Sequence, residues 1–185
     1  MKIEWFKEYS HCLDRDMEFK VYGHAGRPIL VFPAQNGRFF DFENFGMVNT
    51  VEHYINNGQI QLFCCDSIDP ESWSGEGLDN GYRTFMMEQW YYYIVNELVP
   101  RIFEINAQGN NGYNHDGIIT TGCSMGATHA VNFMFRRPDI FSGTIALSGY
   151  YDSDLFFGDY HDDILYRNSP IQYLQGMSYD HPYVE

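Results

Sequence analysis

The chain has 185 residues and a mass of 21.6 kDa, which is long enough for one domain with a substantial core and short for two. Hydrophobic residues make up 44% of the chain and aromatic residues 18%, a composition that excludes an intrinsically disordered protein. A formal net charge of -14 argues against nucleic-acid binding, because phosphate backbones are bound by basic surfaces. We therefore expect one globular domain over residues 1–185 without a nucleic-acid partner.

The first residues predict neither a secretion signal nor a membrane anchor. Charges at Lys2, Glu4, Lys7 and Glu8 interrupt every apolar stretch at the amino terminus. No later apolar run reaches the roughly 18 residues that a membrane span requires. The expectation is a cytoplasmic protein with no membrane partner.

The four cysteines show no metal-ligand spacing. Cys64 and Cys65 are adjacent in an apolar run, and Cys123 lies in a tight turn. We expect buried, reduced thiols, because a buried cysteine behaves as a small hydrophobic residue and cytoplasmic proteins rarely hold disulfides. Redox chemistry is disfavoured, since redox pairs take Cys-x-x-Cys spacing and adjacent strand residues face opposite sides.

The predicted elements begin with two strands. MEFKVYGH at 17–24 alternates between apolar and polar residues, and ILVFPA at 29–34 is a continuous apolar run. Apolar residues at three- to four-residue spacing predict a helix over 41–57, which Asn-Asn-Gly ends. QIQLFCCD at 59–66 is the next predicted strand.

The middle of the chain predicts a loop and a long helix. DPESWSGEGLDNG at 69–81 is rich in Gly, Ser and Asp, which favour turns, and is interpreted as a surface loop. A helical pattern runs from Tyr82 to about Ile105. Pro100 is expected to kink or end this helix, because proline lacks an amide hydrogen.

The last predicted elements follow an Asn- and Gly-rich loop at 106–116. They are a strand at 118–123, a helix at 124–137 and a strand at 141–149. Strands that alternate with helices predict a largely parallel sheet covered on both faces, because parallel strands need crossover connections. The predicted fold class is therefore α/β, a three-layer sandwich.

One motif at the strand-to-helix junction points to chemistry. Gly-Cys-Ser-Met-Gly at 122–126 fits the pattern Gly-x-Ser-x-Gly, at the place where a buried strand turns directly into an amphipathic helix. Glycines on either side of the serine relieve the crowding of such a sharp turn. We predict that Ser124 is a nucleophile and that the amide of Met125, at the helix start, stabilises an oxyanion.

A second oxyanion donor is expected in the loop after the strand ILVFP. Gln35 is the preferred donor and Asn36 the alternative, with Asn36 also expected to line the pocket. Asp66, Glu71 and Trp73 follow the strand QLFCCD and should lie at the same edge of the sheet, where ligands bind. Trp73 either walls the acyl or alcohol pocket or packs on the body of the domain.

These motifs resemble the esterase D-like branch of the α/β-hydrolases, the putative-esterase family that includes formylglutathione hydrolases and mycolyltransferases. The similarity is carried by VFPAQNGRFFDFENFGMV, CCDSIDPESW, NELVPRI, TTGCSMGATHAVNFMFRRPDIFSGTIALSGYYD and NSPIQYL. The resemblance implies an eight-stranded sheet, a Ser-Asp-His triad, and hydrolysis of esters or thioesters without a cofactor.

The carboxyl terminus departs from the family pattern. The chain ends at HPYVE soon after Asn168-Ser169-Pro170, whereas the family places the acid and the histidine beyond this block. By that comparison the last two strands and both residues are missing, and the chain is interpreted as C-terminally truncated. A serine without a base is a poor nucleophile. His129, His161 and His181 are the remaining candidates, although helix packing or solvent exposure is the favoured interpretation for each.

An acidic cluster near the end of the chain is interpreted as a solvated surface. It lacks the ordered spacing of a calcium-binding loop, so no metal site is predicted. Its members are Asp152, Asp154, Asp159, Asp162 and Asp163.

Two functions follow from these patterns. The first is a serine esterase that acts on a small-molecule ester or thioester through an acyl-enzyme. The second is a catalytically incomplete domain that binds ligands or partners without turnover. Loss of the last strands would leave an apolar strand edge uncovered, which favours a homo-oligomer.

Overall fold

The protein is described by a computed structural model that covers residues 1–113 and 115–181. Its sheet has six strands in the order β1-β2-β4-β3-β5-β6. β1 and β2 are antiparallel to their neighbours, and the other four strands run parallel. The predicted α/β class with a mostly parallel sheet is therefore confirmed. The strands are β1 (Ile3–Ser10), β2 (Arg15–Tyr22), β3 (Arg27–Phe32), β4 (Ile60–Cys65), β5 (Ile118–Cys123) and β6 (Phe141–Leu147).

Helical segments connect and follow these strands. Short 3₁₀ turns lie at Asp69–Glu71 and Leu174–Gly176, and a π-helical segment lies at Tyr93–Leu98. In the described residues no helix combines the length and the apolar character needed to cross a membrane. The α-helices are α1 (Asp41–Asn44), α2 (Met47–Thr50), α3 (Glu52–Asn56), α4 (Asn80–Tyr92), α5 (Val99–Gly109), α6 (Met125–Arg136), α7 (Asp154–Phe157), α8 (Asp163–Arg167) and α9 (Pro170–Tyr173).

Strand β1 was not predicted, and its sequence explains why. Its exposed face carries Ile3, Trp5 and Tyr9, whereas the less exposed face carries Glu4 and Glu8 beside one phenylalanine. This arrangement reverses the usual order of apolar inside and polar outside. Alternation therefore gives no clear signal, and the strand forms because its backbone pairs with β2 along its whole length.

The predicted single helix over 41–57 is wrong. Gly46 has φ +76° and separates α1 from α2, and Val51 leaves helical geometry between α2 and α3. Only Val48 and Ile55 are buried in this region, while Phe45 is 69% exposed. The apolar spacing thus reflects three short helices, of which only Val48 and Ile55 are buried against the sheet.

The long helix is confirmed, but Pro100 does not end it. Helical structure continues from α4 through the π segment into α5, and Pro100 lies in the first turn of α5. The wider π turn directly precedes α5 and already departs from α-helical hydrogen bonding, so the missing amide of Pro100 does not break the run. The predicted interruption is thus a change in hydrogen bonding within a continuous helical run.

The predicted surface loop at 69–81 is wrong for its first half. Asp69, Ser72 and Trp73 are each at most 2% exposed. The buried Arg83 guanidinium donates to the carbonyl oxygens of Ser72 at 2.9 Å and Trp73 at 2.7 Å. Turn-forming residues can be buried here because a charged side chain satisfies their backbone.

The core has two layers, one on each face of the sheet. The larger layer packs β2, β3 and β4 against the 80–109 helical run and α6, and the smaller layer packs the opposite face against α2 and α3. Cys65 belongs to the first layer and Cys64 to the second, as predicted for adjacent strand residues.

The cysteines are free thiols, but the prediction that all are buried is wrong. Cys64 and Cys65 are buried, Cys12 is half-buried and Cys123 is exposed. Cys123 follows the last inward-facing position of β5, where the chain leaves the sheet. Burial raises the pKa of the Cys64 and Cys65 thiols, and burial together with a hydrogen bond to Glu97 raises that of Cys12 to about 11.

The junction of β5 and α6 depends on close backbone packing. A Cβ atom on Gly122 would lie 2.3 Å from the backbone of Gly126. A Cβ atom on Gly126 would lie 2.4 Å from the carbonyl oxygen of Phe32, at the end of β3. Both distances are shorter than any stable contact, so α6 can start this close to the sheet only with glycine at both positions.

We predict that Gly126→Ala destabilises the fold by about 1–3 kcal/mol, because the added methyl group forces α6 away from β3. Gly143→Ala is the matched control, since a Cβ atom there meets nothing within 4 Å. Urea unfolding should give a change within about 0.5 kcal/mol for the control. Equal stability of the two variants would contradict the packing at the junction.

We also predict that one thiol per chain reacts rapidly with a disulfide reagent such as DTNB under native conditions and that all four react in denaturant. Exposure makes Cys123 the fast thiol, whereas burial and a raised pKa slow the other three. Cys123→Ser should remove the fast phase. Two or more fast thiols in the wild-type chain would rule out the described burial.

Candidate active site

The carboxyl ends of β3 and β5 lie side by side. These strands pair in parallel, and Phe32 is aligned with Gly122. The turn at 34–37 begins two residues after Phe32, and Ser124 lies two residues after Gly122. The structure thus brings the predicted nucleophile and the predicted oxyanion loop to one edge of the sheet.

Ser124 has the backbone geometry of a strained strand-to-helix turn. Its φ of +56° and ψ of −123° lie in a region that non-glycine residues rarely adopt. The conformation is held by the Ser124 amide, which donates to the carbonyl of Leu147 at 2.9 Å, and by the Ser124 carbonyl, which accepts from Ala127 at 3.0 Å. Ser124 is exposed at the carboxyl edge of the sheet.

Two backbone amides at this edge of the sheet are the candidate oxyanion donors. Met125 is the first residue of α6, where an amide has no intrahelical acceptor. In the part of the chain that the structure describes, the amide of Gln35 donates no hydrogen bond. The predicted roles of Met125 and Gln35 fit these positions and remain proposals.

The backbone amide of Asn36 is not free. It donates to Oδ2 of Asp69 at 3.1 Å, and the Asn36 side chain accepts a hydrogen bond from the Ser74 hydroxyl. Asn36 is the third residue of a tight turn, closed by a 2.8 Å bond from the Gly37 amide to the Ala34 carbonyl, and has φ +58°. The positive φ favours Asn at this position, and the bond to Asp69 occupies the amide that would have to serve as oxyanion donor. The exposed Asn36 side chain remains a candidate pocket residue.

Trp73 packs under the site. It is 2% exposed and belongs to a cluster with Met87, Met125, Phe157 and Leu165. Of the two predicted roles of Trp73, packing on the body of the domain therefore describes its position, in the same apolar cluster as the first residue of α6. A pocket role for Trp73 would require movement of the residues that cover its ring.

Asp66 and Glu71 lie at the expected edge but are paired with arginines. Arg38 Nε donates to Asp66 at 2.8 Å, as does the amide of Phe39, while burial raises the pKa of Asp66. Glu71 binds Arg15 in a bidentate pair, which lowers the pKa of the Glu71 carboxyl. Both carboxylates hold loops in place and are not directed at Ser124.

No histidine among the described residues hydrogen-bonds to Ser124. His129 lies about 1.4 turns further along α6, is 2% exposed and binds Asp69 at 3.0 Å, so helix packing is the right interpretation for it. His181 lines a cavity with Phe135 and Arg136, at the far end of α6 and about 18 Å from the start of the helix. His161 is exposed in the segment before α8.

The prediction that the acidic cluster is a solvated surface holds for some of its members only. Asp154, Asp159 and Asp163 are exposed, but Asp162 caps α8 through the Leu165 amide at 2.7 Å and accepts from Thr84 at 2.6 Å. In the described ranges no group of three His, Cys, Asp or Glu side chains is arranged to hold a metal ion.

The pair of Asp69 and His129 is the feature that the sequence did not reveal. The two residues lie 60 positions apart, and each falls in a segment whose local pattern suggests a different role. Turn residues around Asp69 suggested a surface loop, and His129 sits in an ordinary helical pattern. The sequence held one signal for this pair: Asp69 and His129 are both polar residues that lie next to apolar residues of the core.

Comparison with known proteins identifies the family. The family model described as Putative esterase matches residues 10–179. A search of curated protein sequences finds no match. Among solved structures, a ferulic acid esterase superposes with a TM-score of 0.70 at 14% identity, over 97% of this chain and 73% of its own.

Two Staphylococcus aureus enzymes also share the fold. The S-formylglutathione hydrolase FrmB has a TM-score of 0.61 at 14% identity, over 95% of this chain and 71% of its own. The fluorophosphonate-binding serine hydrolase FphF has a TM-score of 0.61 at 12% identity, over 95% of this chain and 72% of its own. These TM-scores establish the common α/β-hydrolase fold. The family model spans most of the chain. The protein is therefore a member of the Putative esterase family.

Proposed function

We propose that the protein is a serine-dependent hydrolase of small-molecule carboxylic esters or thioesters that acts through an acyl-enzyme. The observation that carries this proposal is Ser124, which is exposed with φ +56° directly before Met125 and at the same sheet edge as the turn that carries Gln35. A nucleophile flanked by two preorganised donors is the arrangement that acyl transfer needs. Membership of an esterase family supports the same reaction.

The proposed reaction has two steps. In the first, Oγ of Ser124 forms a bond to the carbonyl carbon, and the oxyanion accepts hydrogen bonds from Met125 and Gln35. The bond to the leaving alkoxide or thiolate then breaks, and a general base transfers the serine proton to it. In the second step water attacks the acyl-enzyme by the same route and releases the carboxylic acid and free Ser124. The reaction balances without a cofactor.

The general base and its partner acid are not assigned to a described residue. His129 is committed to Asp69, and His181 lies at the opposite end of α6. A catalytic base therefore has to reach Ser124 by a rearrangement of the described residues or from outside them. His161 is exposed in an irregular segment before α8.

A non-catalytic domain is the second candidate function. The specific observation in its favour is the lack of a hydrogen bond between Ser124 and any imidazole of the described residues. Such a domain would bind an acyl-containing ligand or a partner at the same edge without turnover. Self-association remains part of this proposal, because Ile145 and Leu147 are exposed on the edge strand β6.

The names of the structural neighbours indicate candidate substrates. They include a ferulic acid esterase and an S-formylglutathione hydrolase, so an ester of ferulic acid and a glutathione thioester are the first to assay. A cytoplasmic location and a single domain over residues 1–185 stay predictions.

A fluorophosphonate probe distinguishes the two functions. We expect the full chain to be labelled once, at Ser124, and Ser124→Ala to abolish both labelling and hydrolysis of p-nitrophenyl butyrate. Cys123→Ser is the matched control, because it removes the neighbouring exposed nucleophile and should leave labelling intact. Intact mass and peptide mapping give the site. An unlabelled wild-type chain would favour the binding domain, and labelling that persists in Ser124→Ala would exclude this serine.

A further inference from the structure

The buried carboxylate of Asp69 joins the two parts of the proposed oxyanion site. Asp69 is 1% exposed, and each of its oxygens has a partner on a different element. Oδ2 accepts the amide of Asn36 at 3.1 Å, and Oδ1 lies 3.0 Å from Nε2 of His129. Asn36 belongs to the turn that carries Gln35, and His129 belongs to the helix that carries Met125.

The partner in α6 is rigidly held. His129 is 2% exposed and packs among aromatic rings, with Trp90 at 4.7 Å and Phe32 at 6.0 Å between ring centroids. Nε2 of His129 and Oδ1 of Asp69 share one buried hydrogen bond of 3.0 Å. The imidazole therefore places the carboxylate at a fixed distance from α6.

The turn at 34–37, which follows β3, is hydrogen-bonded at several points to the segment after β4 that contains Asp69. Besides the bond from Asn36 to Asp69, the Ser74 hydroxyl donates to the Asn36 side chain, and the Ser67 hydroxyl donates to the Gly37 carbonyl at 3.3 Å. The amide of Asn36 is bound to Asp69, whereas the preceding amide, that of Gln35, donates no hydrogen bond to the described part of the chain. The orientation of the Gln35 amide thus depends on the hydrogen bond that holds the Asn36 amide.

We propose that Asp69 is a positioning residue that sets the separation and direction of the Gln35 and Met125 amides. The inference rests on the proposed function, because it concerns the same site. Oxyanion donors are effective only when they point at the developing charge before the reaction starts. One carboxylate bound to both elements provides that alignment without touching the substrate.

The first test compares rates of inactivation by a fluorophosphonate, whose phosphonyl oxygen must enter the same donor pair. We expect Asp69→Ala to react about 100-fold more slowly than wild type, at the lower end of the range for loss of one oxyanion donor, and Asp69→Asn only about 10-fold more slowly. Asparagine retains an oxygen that can accept from Asn36, so it should restore part of the rate lost in the alanine variant. With p-nitrophenyl butyrate, kcat should fall by similar factors while KM changes by less than about 2-fold.

Glu88→Gln is the control for a general loss of stability. Glu88 is 7% exposed and pairs with Arg136 at the far end of α6, about 18 Å from the start of that helix. This variant also removes a buried charge that binds α6, but its inactivation rate should equal that of wild type. Thermal unfolding by circular dichroism sets an assay temperature at which all variants are folded.

Amide hydrogen exchange supplies a readout that does not depend on activity. In Asp69→Asn the amide of Asn36 should exchange faster than in wild type, whereas Glu88→Gln should leave it unchanged. Folded Asp69 variants that are inactivated at the wild-type rate would overturn the inference while leaving the proposed function in place. A wild-type chain that is not labelled at all would overturn the proposed function and this inference with it.

Discussion

The close approach of α6 to the end of β3 is the constraint on which the rest of the site depends. Gly126 lies against the carbonyl of Phe32, and Gly122 lies against Gly126, so the helix begins directly on the sheet. This contact holds Ser124 at its φ of +56° and places Met125 at the first position of α6, where an amide has no intrahelical acceptor. The positions of the proposed nucleophile and of one proposed oxyanion donor thus follow from backbone packing.

Polar contacts extend this arrangement to the neighbouring loops. The segment after β4 is buried because Arg83 satisfies its carbonyl oxygens, and its burial places Asp69 between the 34–37 turn and His129. Losing one partner of such a buried group costs more than an exposed hydrogen bond contributes, since the remaining partner stays unsatisfied. The edge of the sheet is therefore a connected polar network above an apolar cluster that includes Trp73.

The sequence predicted well those elements whose signals are local. β5, the turn at Ser124 and α6 were predicted within a residue or two, because a buried strand, two glycines and an amphipathic helix follow one another directly. It failed where distant residues decide the outcome. β1 carries apolar side chains outside, α1 to α3 break at Gly46, and the pairing of Asp69 with His129 spans 60 positions. No local pattern encodes such contacts.

The most direct test of the account is a crystal structure of the full chain after reaction with a fluorophosphonate. The account predicts a phosphonate bonded to Oγ of Ser124, with its phosphonyl oxygen within hydrogen-bond distance of the amides of Met125 and Gln35. The amide of Asn36 should remain bound to Asp69. A phosphonyl oxygen directed to solvent, or held by the amide of Asn36 instead of Gln35, would contradict it.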